Sequence, residues 1–423
     1  MVKPKEKTYS IFILNFRAIS VYYFTMTDKI NLGVGISSEK DAAKAVKEAI
    51  QQAKSTIFRE KIDLALVFSS VEFSHPTTIK TIADILGNIP IVGCSAAAII
   101  SSKGIFKNGL AIVLFSLPKS AWLNSAIVEN TSAKTPLSVG EELGEKLLRG
   151  HLGLHRDLGL IFSDGLIGEG SNIISGLQEK LGTSFPLVGA SASDNLQLLR
   201  TYIYFNQTIV NDAICGIIWG GRLNFSWGVK HGWKPLGKPR LVTKAKSNIV
   251  YQIDGQPAAK IYEDYLARNL SDLKKEFRRI SIFYPIGIHL EGKNEYLLRN
   301  ILSIQDDGSL IFQGNIPQNS QVRLMIGTKE SCLDAARQAV GEAQKGLYNK
   351  RLGLALIFDS VSRLILLGRN AVKELEVIQE ELGKEIPVIG IYTYGEQAPL
   401  GVIGYHGRAY FHNQTITILG IEG

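Results

Sequence analysis

Apolar positions along the chain gather into short unbroken runs that end in phenylalanine, and one such run occurs three times: LALVFSS around Phe68, LGLIFSD around Phe162 and LALIFDS around Phe358. Runs this short and this continuous suit strands covered on both faces. Each is followed, after a stretch with helical spacing, by a second apolar run: IPIVGCSA, FPLVGASA and IPVIGIYT. The phenylalanine-to-glycine intervals are 25 (Phe68 to Gly93), 27 (Phe162 to Gly189) and 32 (Phe358 to Gly390). Between the first pair of runs Ile79, Ile82 and Leu86 share one helical face, and Gly87-Asn88 ahead of Pro90 predicts the stop. Pro90, Pro186 and Pro387 each open the second run, where a missing N–H costs least.

A preceding helix is predicted from Ala42, Ala45, Val46, Ala49, Ile50 and Ala53 behind Ser38-x-x-Asp41, which resembles a capping box. The third copy repeats this helix with Leu333, Ala336, Val340 and Ala343. Closing strands follow each copy: NGLAIVLF (108–115), YFNQTIV (204–210) and YFHNQTITI (410–418). The NQT triplets sit inside apolar patterns, so Asn206 and Asn413 are assigned to turns or strand edges rather than to glycosylation.

A repeat fixes the architecture before any motif is interpreted. The fold class is α/β (mixed α+β): three related strand–helix units with mixed sheets. Phe68 to Phe162 spans 94 residues but Phe162 to Phe358 spans 196, which predicts an inserted subdomain at about 231–320. Residues 1–28 are assigned to an N-terminal extension, 29–229 to two repeat units, and 230–423 to the insertion plus the third unit.

With 423 residues and 45% hydrophobic content the chain can bury two or three cores. Its three cysteines, Cys94, Cys215 and Cys332, form neither a disulfide framework nor a zinc spacing, which fits a reducing cytoplasm. No run approaches the roughly 18 apolar residues of a membrane span. The net charge of +8 is uneven, because residues 222–280 hold thirteen Lys or Arg against five Asp or Glu. Lys230, Lys234, Lys238, Arg240, Lys244 and Lys246 follow one another with no acid between them. Such a run can meet an anionic protein. Nucleic acid is not the expected partner, since no aromatic interleaving or nucleic-acid motif accompanies it.

The most specific string is HGWKPLGKPRLVTKAKSNIVYQIDGQPAAKIYEDYL (231–266). Its Gly232-Trp233-x-Pro235, Thr243-Lys244, Tyr251-x-x-Asp254-Gly255-x-Pro257-Ala258 and Tyr262 resemble the signature of the FIST (F-box and intracellular signal transduction) family. GVGISSEKDAAKAVKEA (33–49), VFSS (67–70) and IVGCSAA (91–97) are similar to that family's N-terminal domain, and 297–325, TYGEQAPLG (393–401) and HNQT (412–415) to its C-terminal domain. The resemblance covers roughly 30–421. Where the family's third Phe-terminated strand continues with cysteine this chain has Ser360, which argues against a thiol role, while Arg363 is retained. The resemblance implies a sensory domain that binds a small ligand, with an amino acid as candidate, and works with a signalling protein partner.

Ligands of α/β sheets sit at the carboxyl ends of strands. Here those ends carry Ser69-Ser70, Cys94-Ser95, Ser163-Asp164, Ser191, Ser193-Asp194, Asp359-Ser360 and Tyr392-Thr393-Tyr394. The candidate ligand-binding residues are Arg363, Glu396, Ser95, Ser191, Asp194, Ser360 and Tyr394. Arg363 is suited to a carboxylate and Glu396 or Asp194 to an ammonium. Arg363 lies five residues past Phe358 and Glu396 six past Gly390, so both are expected at one crevice. Two alternatives compete: an interaction adaptor using the basic run, and a Ser-dependent hydrolase, since Gly93-Cys94-Ser95 and Gly189-Ala190-Ser191 partly mimic a nucleophile elbow. No catalytic set is complete. No metal or cofactor motif is present either.

Overall fold

A computed structural model describes residues 29–290, 295–400 and 407–423, so the assigned extension over 1–28 lies outside the described residues. Three six-stranded sheets share one strand order. The first runs Asn31–Ser37, Leu110–Ser116, Leu64–Ser69 and Ile91–Ser95, and its parallel pair sets Phe68 opposite Cys94. The second runs Trp122–Glu129, Ala213–Gly220, Leu158–Ser163 and Leu187–Ser191; the third runs Phe225–Lys230, Ile416–Glu422, Leu352–Ser360 and Val388–Thr393. The strand–helix–strand pairs are parallel and the other pairings antiparallel, so each sheet is mixed.

Each sheet is completed by a hairpin from another unit. Ile203–Phe205 and Thr208–Val210, from the second unit, extend the first sheet. Gly395–Pro399 and Ala409–His412, from the third, extend the second sheet. Ile99–Ser101 and Gly104–Phe106, from the first, extend the third. The exchange is cyclic, so no unit completes its own sheet.

The alternation within each apolar run explains why the runs are unbroken. Leu64, Leu66 and Phe68 face a central core shared by all three sheets, whereas Ala65 and Val67 face the helices Ala42–Lys54 and Pro76–Leu86. Phe68, Phe162 and Phe358 meet edge-to-face at this centre, with ring centroids 5.4, 5.9 and 6.4 Å apart. The shared prolines hold equivalent positions: the carbonyls of Pro90, Pro186 and Pro387 accept from Ala65, Gly159 and Ala355 at 2.9–3.0 Å. The repeated glycines are required by close approach, because a Cβ on Gly93, Gly189 or Gly390 would lie 1.8, 1.9 or 2.3 Å from the carbonyl oxygen of Val67, Ile161 or Ile357. The first helix is capped by Asp41 alone, whose carboxylate accepts from the Lys44 amide at 2.8 Å; the reciprocal capping box belongs to Thr328 and Ser331 of the third unit.

The inserted segment forms a fourth sheet between Lys234 and Ile326, backed by the helices Lys260–Leu266 and Leu270–Phe283 around its own core. It extends six residues past the expected limit because Gln321–Ile326 pairs with both Lys234–Lys246 and Ile286–His289. The strand Phe225–Lys230, which a division at 229/230 would cut, pairs with Ile416–Glu422 in the third sheet. Among the described residues no helix is long and apolar enough to cross a membrane.

Candidate functional site

The hydroxyls at the strand ends are spent on joining the units. Ser95 Oγ donates to the Ser193 carbonyl at 2.9 Å, and Ser193 Oγ donates to the Tyr392 carbonyl at 2.5 Å. Ser191 Oγ shares a 2.9 Å bond with Ser163 Oγ and accepts from Gln397 Nε2 at 3.1 Å. All four serines are buried. Ser95 and Ser191 therefore stand at the meeting of the three units. Among the described residues no serine or cysteine is hydrogen-bonded to a histidine, the pairing that an activated nucleophile needs. Burial pushes the Cys94 thiol well up and holds His412 down at about 4.

Asp194 organises a loop. Its carboxylate accepts the amides of Gln197, Leu198, Leu199 and Arg200 at 2.7–3.2 Å and the hydroxyl of Tyr394. Burial works to raise its pKa, but the Tyr394 hydroxyl and these amides outweigh it and hold the carboxyl below its ordinary value. Burial, aided by the same contact, pushes the Tyr394 phenol up. The loop so fixed has Leu196 and Leu198 in left-handed backbone, φ 70° and 56°, a conformation that costs a leucine on the order of 1–2 kcal/mol. Leu196, Leu198 and Leu199 are 43, 45 and 74% exposed.

Beneath those leucines lies a cavity of about 470 Å³, where the second unit, the third unit and the inserted subdomain meet. Leu166, Leu196, Leu198, Phe277, Ile282 and Ile365 form much of its apolar wall. Ser360, Ser362, Thr393 and Tyr394, at the carboxyl ends of the third unit's parallel strands, form its polar wall. Gln313 closes one side; its amide donates to the Tyr394 carbonyl and accepts from Asn413. Among the described residues no aspartate or glutamate lines the cavity, its single cation is the exposed Arg278, and Arg278 has no ion pair.

Arg363 and Glu396 stand behind the polar wall and are fully buried. Arg363 is already engaged: Nη1 donates to the His231 carbonyl at 2.6 Å, Nη2 to the Cys332 carbonyl at 3.0 Å and to Glu374, and Nε lies 2.9 Å from Asp359. Burial opposes the guanidinium's charge, but the neighbouring acids, Glu374 above all, raise its pKa. Burial and the Glu374 charge push Asp359 well up. Glu396 accepts from Thr393 Oγ1 at 2.8 Å and from Thr415 Oγ1 at 2.7 Å, and burial outweighs these bonds to push it up to about 8. One guanidinium thus faces three buried carboxyls, of which Asp359 and Glu396 are pushed above the ordinary carboxylate range.

Of the sequence candidates, Ser360 and Tyr394 line the cavity, Asp194 fixes its mouth through Tyr394, and Glu396 reaches it through Thr393. Arg363 is tied to internal partners, and Ser95 and Ser191 lie among the inter-unit bonds. Sequence reasoning missed Arg278, Gln313 and, in Asp194-Asn195-Leu196-Gln197-Leu198-Leu199, the cavity-lining Leu196 and Leu198. The detectable signal was a leucine-rich stretch with neither helical nor strand period directly after a strand-end Asp. The basic run is partly consumed: Lys230 pairs with Glu295 and Glu342, Arg240 with Asp254, and Lys244 lies over Tyr251, while Lys234, Lys238 and Lys246 are exposed without an ion pair among the described residues.

Comparison with known proteins fits this layout. The uncharacterized protein MJ1623 of Methanocaldococcus jannaschii is 22% identical over 345 residues, covering 76% of this chain and 66% of its own length. The uncharacterized protein Mb0898c of Mycobacterium bovis is 22% identical over 400 residues, 92% of this chain and 98% of its own. The uncharacterized protein MT0656 of Mycobacterium tuberculosis is 22% identical over 391 residues, 89% and 97% of the two chains. The FIST N domain matches residues 63–256 and the FIST C domain residues 258–399, so the first runs through two repeat units into the insertion and the second through the rest of the insertion and most of the third unit. With both domains present in order over most of its length, the chain belongs to the FIST family of sensory signal-transduction domains.

Proposed function

We propose that this protein is a cytoplasmic sensor in which a small ligand, an amino acid with a large apolar side chain, occupies the cavity under Leu196 and Leu198 and a signalling protein reads its occupancy. The carrying observation is the strained leucine loop that Asp194 and Tyr394 hold over the cavity, since backbone strain persists where function requires a fixed surface. The ligand's side chain packs against Leu166, Leu198, Ile282 and Ile365, its carboxylate meets Arg278, and its ammonium meets Ser360 and Thr393, with Glu396 behind Thr393. Arg363 serves this reading as the anchor of the polar wall. Burying a leucine-sized side chain contributes about 1.5–3 kcal/mol, and a charged hydrogen bond about as much.

Isothermal titration of the purified chain with the standard amino acids tests this reading. Leucine, isoleucine, methionine or phenylalanine should bind, and Ile365→Arg, which fills the mouth from a 42% exposed position, should abolish binding without loss of fold. Binding by none of them at 10 mM refutes the reading, as does unchanged affinity in the folded variant. The adaptor reading has less support, because the basic run is interrupted by its own ion pairs.

A further inference from the structure

A second cavity, of about 600 Å³, lies at the opposite end of the sheets, where the strands Leu158–Ser163, Phe225–Lys230 and Leu352–Ser360 begin. It sits in the seam between the second and third units. We propose that this seam is a separate binding site for a small aromatic carboxylate, with the anion on Arg156 and the ring between Tyr348 and Phe225.

One donor at this cavity is orphaned. Arg156 lies over the Phe185 ring at 5.1 Å, and its Nη1 is buried with no hydrogen-bond partner among the described residues. Buried polar groups are nearly always satisfied, so a guanidinium nitrogen left over at a cavity wall asks for an acceptor. The nearby acids are already committed. Asp157 is held by His155 Nε2 at 2.8 Å and by the Leu223 amide at 2.9 Å. Glu422 is shared by Lys29, Lys350 and Asn224. Among the described residues, Arg156 is therefore the cavity's cation without a counter-charge.

The remaining walls select the body of the ligand. Phe225, whose far face stacks on Trp219 at 5.4 Å, and Trp227 present aromatic surface, and Tyr348 stands 67% exposed at the mouth. Tyr348 holds a left-handed backbone, φ 53°, an outlier for a bulky residue. A bare inorganic anion would satisfy Arg156 but leave these rings facing water; a planar ring carrying a carboxylate answers both, because guanidinium and carboxylate match in a two-bond fork. Lys350 at the rim adds long-range attraction for an anion.

Isothermal titration of the full chain with 2-naphthoate, 2-naphthol and inorganic phosphate tests the assignment. Naphthoate should bind, and naphthol and phosphate should each bind at least tenfold more weakly. Arg156→Gln should weaken naphthoate at least tenfold, and Arg156→Lys, which keeps the charge but not the fork, by a smaller factor. Ile365→Arg should leave naphthoate binding unchanged, which separates this site from the cavity under the leucine loop. The proposal is overturned if naphthoate does not bind at millimolar concentration, if phosphate or naphthol binds as tightly, or if Arg156→Gln binds like wild type. Should Arg156→Gln fail to fold, the Lys variant decides alone: unchanged naphthoate affinity overturns the proposal and a measurable loss supports it.

Discussion

Replacing Arg363 by lysine separates an anchor from a ligand clamp. The guanidinium donates to three partners, the His231 and Cys332 carbonyls and Glu374, while its Nε lies 2.9 Å from Asp359 without a hydrogen bond between them. An ammonium acts from one point and can keep Glu374 and one carbonyl, so the other carbonyl loses its donor in a site with no water access. At about 1.5–3 kcal/mol for a charged hydrogen bond, the substitution should cost roughly 2–3 kcal/mol. With about 2.1 cal/mol/K of unfolding entropy per residue, 423 residues unfolding together give roughly 0.9 kcal/mol/K, so the unliganded melting temperature should fall by about 2–3 °C. Differential scanning calorimetry at pH 7 measures it. A melting temperature within 1 °C of wild type, joined to a tenfold loss of amino-acid affinity, would show that the guanidinium is reserved for ligand and refute this reasoning.

Glu396, pushed up to about 8 from an ordinary 4.5, keeps its proton in the fold where the unfolded chain has lost it, so unfolding releases a proton and stability falls as pH rises from about 5 to 8. Melting temperatures across that range should decline, and Glu396→Gln should flatten the decline; an equal slope in the variant contradicts the assignment. Phe162→Ala removes a buried ring that meets both Phe68 and Phe358 and should cost about 3–5 kcal/mol by urea unfolding, against a refuting value under about 1.5. A fragment of residues 29–230 leaves the Ile99–Phe106 hairpin without its sheet and Phe225–Lys230 without Ile416–Glu422. It should show no cooperative melt, and a monomer with a sharp transition would contradict the exchanged-hairpin account.

The three-unit plan was legible because a strand buried on both faces leaves a continuous apolar run, and because Pro and Gly mark its start and its closest approach. The exchange of hairpins was not legible. Ile99–Phe106 and Ile203–Val210 carry the same local pattern whether they fold back on their own sheet or cross to another, and only long-range pairing decides. For the same reason the strand Phe225–Lys230, next to the second unit in sequence, gives no local sign that it pairs with Ile416–Glu422 in the third sheet. At the site, hydroxyls and carboxylates at strand ends were found by position, but their roles depended on partners distant in sequence. Glu374, Cys332 and His231 turn Arg363 inward, and Tyr394, two hundred residues from Asp194, turns that carboxylate into a loop anchor rather than a ligand group. Arg278 was hidden among the thirteen cations of 222–280, where charge count carries no information about which one faces a cavity.

The central claim is that the space beneath the Asp194 loop holds the sensed molecule. A crystal structure of the chain grown with the tightest-binding amino acid tests it most directly. The account predicts ligand density between Leu198, Ile365 and Thr393, with its carboxylate on Arg278 and Arg363 still bound to Glu374. Density at the exposed lysines of 234–246, or a ligand carboxylate on Arg363 with Glu374 displaced, would contradict it.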